Sequence, residues 1–186
     1  MFGPNNIGSR SILVSCSFHW INLYKKGQFM PASRKPIIAV VGAGKCSRKL
    51  RDRAAEVGRY VAEHGGVVVC GGLGGIMEGA AKGAKEAGGT TIGILPTSER
   101  SDANDYIDFA IPTGLGEVRN VLVVRTADVV VAFPGKYGTL TEIAYALHAG
   151  KPVISINAWR LGDEMTYVED PVEAARLAME MAEKRL

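Results

Sequence analysis

Thr139 and Glu142 stand three residues apart at the end of the stretch Asp128–Glu142, DVVVAFPGKYGTLTE. The apolar run predicts a buried strand that ends at Pro134. The loop Gly135–Gly138 then opens a helix near Thr139. Unpaired N–H groups at such a helix start, together with the helix dipole, favour a phosphate. Pro134, Gly135 and Gly138 shape the loop, Lys136 adds a positive charge, and the Thr139 hydroxyl can donate to a phosphate oxygen. The same Thr139-Leu140-Thr141-Glu142 also fits a capping box, in which Glu142 only satisfies the N-cap amide. From the sequence both readings stand.

Arg119 and Asn120 begin an otherwise apolar helix one strand earlier. A guanidinium at that place can grip a phosphate or carboxylate in forked geometry. The plainer alternative is a surface arginine paired with Glu117 or a neighbour. Two further glycine-rich turns follow strands. Gly42-Ala43-Gly44-Lys45 is not a P-loop, because Ala39 occupies the first glycine position and Cys46 follows the lysine. Nor is it a dinucleotide fingerprint: Ser47 stands where the third glycine belongs, and no acidic residue ends the second strand. With Gly42 and Gly44 shaping the turn, the backbone amides of 43–47 and the helix start that follows can still face an anion; a plain tight strand-to-helix turn is the alternative. In Gly71–Gly75, Gly72 and Gly74 would let the backbone approach a ligand or a neighbouring strand.

The elements that must position these residues alternate from Pro36 onward. Strands are predicted at 36–41, 67–70, 90–95, 107–111, 128–133 and 152–156. Helices are predicted at 48–64, 76–87, 116–126 and 138–149, with a last one begun by Asp170 as N-cap and Pro171 at the first helical position. Val118, Val121 and Leu122 read as the inward stripe of the third helix, and Leu177 and Met181 as that of the last. Thr97–Tyr106 is polar and without period, an exposed loop. Continuous apolar strands alternating with helices predict an α/β protein with a mostly parallel sheet covered on both faces. Ligands on such sheets bind beyond the carboxyl ends of the strands, where all three glycine-rich turns fall.

Composition narrows the partners. Five of the 22 basic residues and none of the 19 acidic ones fall in 1–35, leaving 17 against 19 in 36–186. The main body is therefore slightly acidic, and nucleic acid is not an expected partner. Cys16, Cys46 and Cys70 form no metal-ligand spacing, and His19, His64 and His148 are dispersed, so no metal site is expected. Scattered thiols suit a reduced, cytoplasmic setting. No apolar stretch is long enough for a bilayer. Residues 1–35 lack the period of the rest. We expect 1–29 to be a disordered extension or an upstream start outside the fold, and the domain to occupy 36–186.

Taken together, Pro134, Gly135, Gly138, Thr139 and Glu142, with Arg119 on the previous helix, resemble the hallmark Pro-Gly-Gly-x-Gly-Thr-x-x-Glu of the Lonely Guy (LOG)-like family. The turn at Gly71–Met77 and the strand Thr90–Pro96 are similar to it too, so the resemblance covers about 36–160. Arg119-Asn120 and the pair Ala127-Asp128 resemble a branch near the molybdenum-cofactor carrier proteins. The resemblance implies a three-layer, Rossmann-like, doubly wound sheet and a homodimer or higher homo-oligomer. It implies no required cofactor, with a nucleotide or molybdopterin as bound ligand. It implies either of two functions. One is a nucleoside 5′-monophosphate phosphoribohydrolase, with Glu142 and Arg119 catalytic, Arg119 keeping Glu142 ionised, and the glycine loop on the 5′-phosphate. The other is a non-catalytic carrier of the molybdenum cofactor or a nucleotide. A DNA-processing role follows only from kinship with the DprA/Smf branch of the superfamily. Two departures stand out: Lys136 replaces the second glycine of the hallmark, and the segment between Pro96 and Arg119 lacks the family's usual stretch for a cytokinin-type base.

Overall fold

Among the described residues, seven strands and five α-helices are interleaved. The computed structural model describes residues 34–186, so the expectations for 1–29 and for Cys16 and His19 lie outside the described residues. The strands are β1 (Ile37–Val41), β2 (Val67–Cys70), β3 (Thr90–Leu95), β4 (Phe109–Pro112), β5 (Val129–Ala132), β6 (Val153–Ile156) and β7 (Thr166–Val168). The helices are α1 (Arg48–Glu63), α2 (Ile76–Glu86), α3 (Asn120–Thr126), α4 (Tyr137–His148) and α5 (Pro171–Glu183). All seven strands are parallel, in the order β4-β3-β2-β1-β5-β6-β7. This is the expected three-layer, doubly wound α/β architecture, here wholly parallel.

Period-two alternation divides the core into two layers. Ile38, Val40, Val129, Val131 and Phe133 pack towards α1, α2 and α5. Ala39, Val41, Val130 and Ala132 point the other way, where Val123 and Val124 of α3 and Ile143 and Ala146 of α4 cover them. The α1–α2 contact is unusually close because Gly58 of α1 meets the Ala80 carbonyl and Gly83 of α2 meets the Ala55 carbonyl. A side chain at either position would strike backbone.

Strand order reverses at β1: the chain builds outward to β4, then returns to lay β5 on β1's other side. Diverging connections leave a crevice at the carboxyl ends of β1 and β5. Its floor is tied by the Ala43 amide, which donates to the Pro134 carbonyl at 3.1 Å.

Three expectations are corrected. β4 begins at Phe109 rather than 107, because Asp108 is turned aside to accept from the Thr91 amide at 2.9 Å while its other oxygen meets Lys85. The predicted helix 116–126 is a 3-10 turn over Gly116–Arg119 followed by α3. That tighter turn changes the angular phase, so Asn120, Val123 and Val124 are buried while Val118 and Leu122 are exposed. In α5 the buried stripe is Ala174, Ala175, Ala178, Met179 and Ala182, with Leu177 and Met181 only packed against its edge. The strand β7 has no counterpart among the sequence expectations; it is a short, half-buried edge.

Candidate functional site

The crevice at the β1/β5 switch point is a cleft of about 800 Å³, a size suited to a small ligand. Its walls come from four places: the turn after β1, the turn after β2, the 3-10 turn before α3, and the start of α4. Of the residues singled out in the sequence, Gly42, Gly44, Arg119, Asn120, Lys136, Gly138, Thr139 and Glu142 line it. Gly72, Gly74, Pro134 and Gly135 do not. Each of these four supports the walls. Gly72, at φ 73°, packs on Leu95 and Gly93, and Gly74 lies close to the Gly44 carbonyl. Pro134 accepts from Ala43, and Gly135 leaves room for the Thr139 side chain.

The start of α4 is open. Its N-cap is Lys136, and no side chain caps the first turn. The amides of Tyr137, Gly138 and Thr139 are among the first-turn donors that no carbonyl within the helix can satisfy. Thr139 is therefore the third helical residue and not the N-cap, which removes the capping-box reading of Glu142. By contrast, the start of α1 is closed by Ser47, whose hydroxyl accepts from the Leu50 amide at 3.3 Å.

Arg119 and Glu142 meet across the cleft. Both are more than nine-tenths buried, at 5% and 7% exposure, and the Arg119 Nη1 to Glu142 Oε1 distance is 3.8 Å. The alternative of a surface arginine paired with Glu117 is excluded. Glu117 instead accepts from Asn120 Nδ2 at 3.4 Å, and Asn120 Oδ1 in turn accepts from Arg119 Nη1. Arg119 Nη2 donates to the Gly71 carbonyl at 3.4 Å. At Gly71, the first residue of the Gly71–Gly75 turn, a Cβ would stand 2.5 Å from Arg119 Nη2 and 2.6 Å from Met77 Sδ, so those side chains would have to shift. Arg119 Nε is buried without a hydrogen-bond partner. Such a donor is costly to leave unmade.

Burial dominates the electrostatics of Glu142. Desolvation pushes its carboxyl up to about 8; Arg119 pulls the other way and Glu117 adds to the rise. The expectation that Arg119 keeps Glu142 ionised is thereby corrected. At 3.8 Å the guanidinium is beyond hydrogen-bond reach and does not offset the loss of water.

Lys45, within the 43–47 turn expected to face an anion, lines the cleft. So do Leu73, Met77, Glu117, Tyr137 and Thr141, which were not anticipated as site residues. Thr141 could have been read from its place beside Glu142. Asp128, the acidic residue of the Ala127-Asp128 pair, lies at the opposite end of the sheet, where its carboxylate accepts from the Ile37 amide at 2.9 Å. Among the described residues no cluster of three or more His, Cys, Asp or Glu side chains could hold a metal ion. No helix there is long and apolar enough to cross a membrane.

Comparison with known proteins adds to this geometry. The model of the SLOG cluster4 family (LDcluster4) matches residues 35–184. An uncharacterized protein of Archaeoglobus fulgidus is 41% identical over 147 residues, 79% of this chain and 97% of the relative. The cytokinin riboside 5′-monophosphate phosphoribohydrolase of Mycobacterium tuberculosis is 32% identical over 120 residues, 60% of this chain and 64% of that protein, so the match spans under two thirds of the enzyme. The molybdenum cofactor binding protein of Rippkaea orientalis superposes with a TM-score of 0.74 at 36% identity, covering 81% of this chain and 99% of its own. The Moco carrier protein of Chlamydomonas reinhardtii gives 0.72 at 37%, covering 82% and 100%. DNA processing protein A of Helicobacter pylori shares the fold, with a TM-score of 0.61 at 19% identity over 78% of this chain and 80% of that one.

Proposed function

The chain belongs to the SLOG cluster4 family, and from that premise we propose that its cleft binds and carries a small phosphorylated ligand without breaking it. The ligand class is a phosphate-bearing pterin of the molybdenum-cofactor type or a nucleoside monophosphate. One observation carries this reading: the buried Arg119 and the uncapped first turn of α4 line the same cleft. A phosphate there would meet a guanidinium and open backbone amides together. Likeness to carrier proteins over their full length supports carriage. So does a Glu142 held neutral near pH 7, since a neutral carboxyl does not repel the anion. No cofactor beyond the cargo is required.

A second reading is favoured by the pairing of Arg119 with Glu142. A buried carboxyl that titrates near 8 is suited to general acid work. In phosphoribohydrolysis, protonated Glu142 would give its proton to the departing base as the N-glycosidic bond breaks. The carboxylate so formed would stabilise the positive charge on the ribose. It would then take a proton from water as the hydroxyl adds to the sugar carbon, which restores the acid.

Two measurements separate these readings. Freshly purified protein is denatured and the released small molecule identified by mass, and pure protein is incubated with a panel of nucleoside 5′-monophosphates. An intact phosphorylated ring compound with no free base is the expected outcome. Accumulation of free base that stops in Glu142→Gln overturns carriage in favour of hydrolysis.

A second copy of the chain is the partner we propose. Phe109 and Ile111 of edge strand β4 lie beside Ile92 and Ile94, on the sheet face that α3 and α4 cover elsewhere. Among the described residues no helix covers them here, and they are 60% and 47% exposed. Leu115, Val118 and Leu122 continue the apolar exposure along the 3-10 turn and α3. Burial of such a face against a like face would remove it from water.

A further inference from the structure

Tyr137 is the first residue of α4, lines the cleft, and is 76% exposed. An aromatic ring held in water beside an open helix start gains nothing from packing in the core. Nor does it swing freely. The indole of Trp159 stacks beside it, with ring centroids 6.3 Å apart and planes 25° from parallel. Trp159 Nε1 donates to the Gly135 carbonyl at 3.1 Å. The two rings are thus fastened to the loop that opens α4. Trp159 reaches this place from the β6–β7 connection. There Asn157 adopts φ 55° and the buried Ser155 hydroxyl accepts from the Ala158 amide at 3.2 Å, which turns the chain back over the loop.

We propose that Tyr137, backed by Trp159, is the stacking platform that selects a planar heterocycle on the phosphorylated ligand. The inference rests on the phosphate site proposed above and goes beyond it, assigning ring recognition to a different pair of side chains. Trp159 stacks beside the tyrosine ring, and Tyr137 also lines the cleft. A phosphate held by the amides of Tyr137, Gly138 and Thr139 sits next to that ring along the chain. A base or pterin joined to the phosphate by a short sugar-like linker can then lie on the ring. Stacking does not distinguish a purine from a pterin, so the platform would accept either. Ribose 5-phosphate, with the same phosphate and no ring, would gain nothing from it.

The test measures affinities of the full chain for adenosine 5′-monophosphate, a pterin carrying a phosphate monoester, and ribose 5-phosphate. In the wild type, at least one ring-bearing probe is expected to bind about tenfold or more tighter than ribose 5-phosphate; which one does so identifies the source of the ring. Tyr137→Ala is expected to erase that preference while changing ribose 5-phosphate affinity far less, and Tyr137→Phe to keep it. Trp159→Phe, which loses the indole donor to Gly135, is expected to reduce the preference without shifting the melting temperature by more than a few degrees. Equal loss of all three probes in Tyr137→Ala overturns the platform and makes Tyr137 part of the phosphate site. Tight ribose 5-phosphate binding with no ring preference in the wild type overturns the platform alone. Failure of every probe to bind overturns the phosphate site and the platform together.

Discussion

The Arg119 guanidinium stands 3.8 Å from the Glu142 carboxyl, with both side chains buried. That is near enough for both to touch one ligand and too far for them to satisfy each other. The pair therefore keeps its unmet polarity for whatever enters the cleft, at a cost in native stability that a well-packed apolar pair would avoid.

The first consequence concerns pH. The fold holds the Glu142 proton up to about pH 8, whereas the unfolded chain releases it near the ordinary 4.5. Below 4.5 both states are protonated. Between those values the native state binds the extra proton, so stability falls as pH rises, and above 8 the loss levels off. Glu142→Gln removes this dependence. Melting temperatures measured at about pH 5 and about pH 9 should show the variant gaining roughly 5 °C or more on the wild type at the higher pH. Parallel curves for the two proteins would place the Glu142 carboxyl in water.

Replacing Arg119 tests the anion site. Arg119→Gln should weaken binding of a phosphate-bearing probe by about a hundredfold, since a buried charge-assisted donor is lost. Arg119→Lys should recover little of it, because an ammonium cannot reproduce the fork that reaches Gly71, Asn120 and the cleft together. Titration calorimetry with adenosine 5′-monophosphate is the measurement, and full recovery by lysine would refute the forked role.

Gly135 is the most sensitive position of the α4 loop. A Cβ there would collide with the Thr139 hydroxyl and stand 2.7 Å from Thr139 Cβ. Gly135→Ala should therefore expel the Thr139 side chain from its place, lower the melting temperature by a few degrees, and weaken phosphate-probe binding about tenfold or more. The same substitution at Gly150, where φ is 65° but the space is open, should affect stability without affecting binding.

Self-association should depend on the exposed face of β4 and α3. Light scattering of the purified protein should give at least a dimer. Val118→Glu, at a position 70% exposed in the single chain, should shift it to monomer without loss of helical signal. A wild type that is monomeric at every concentration would remove the second copy from the proposal.

Much of this organisation is visible in the linear chain. Apolar runs such as Ile37–Val41, followed by Gly42, and Val129–Ala132, followed by Phe133-Pro134-Gly135, need only local pattern to be read as buried parallel strands. The Pro134–Glu142 stretch and Arg119 announce an anion site through residue type and spacing. Where the reading slipped, geometry had changed locally. Three extra residues at the start of α4, with Lys136 and not Thr139 as the N-cap, remove the capping box and leave Glu142 in the cleft wall, and a 3-10 turn at Gly116–Arg119 rotates the buried face of α3.

Residue order by itself thus determined the layers, the parallel sheet and the end of it at which chemistry would gather, because hydrophobic period and turn residues act over a few positions. Tertiary structure alone decided what that chemistry is made of. Distant elements exclude water from Glu142 and push its carboxyl up, Arg119 lies in place because Gly71 leaves room 48 residues away, and Trp159 meets Tyr137 across two elements. Solvent exclusion and close approach are properties of surfaces brought together, and they leave no periodic trace in the chain.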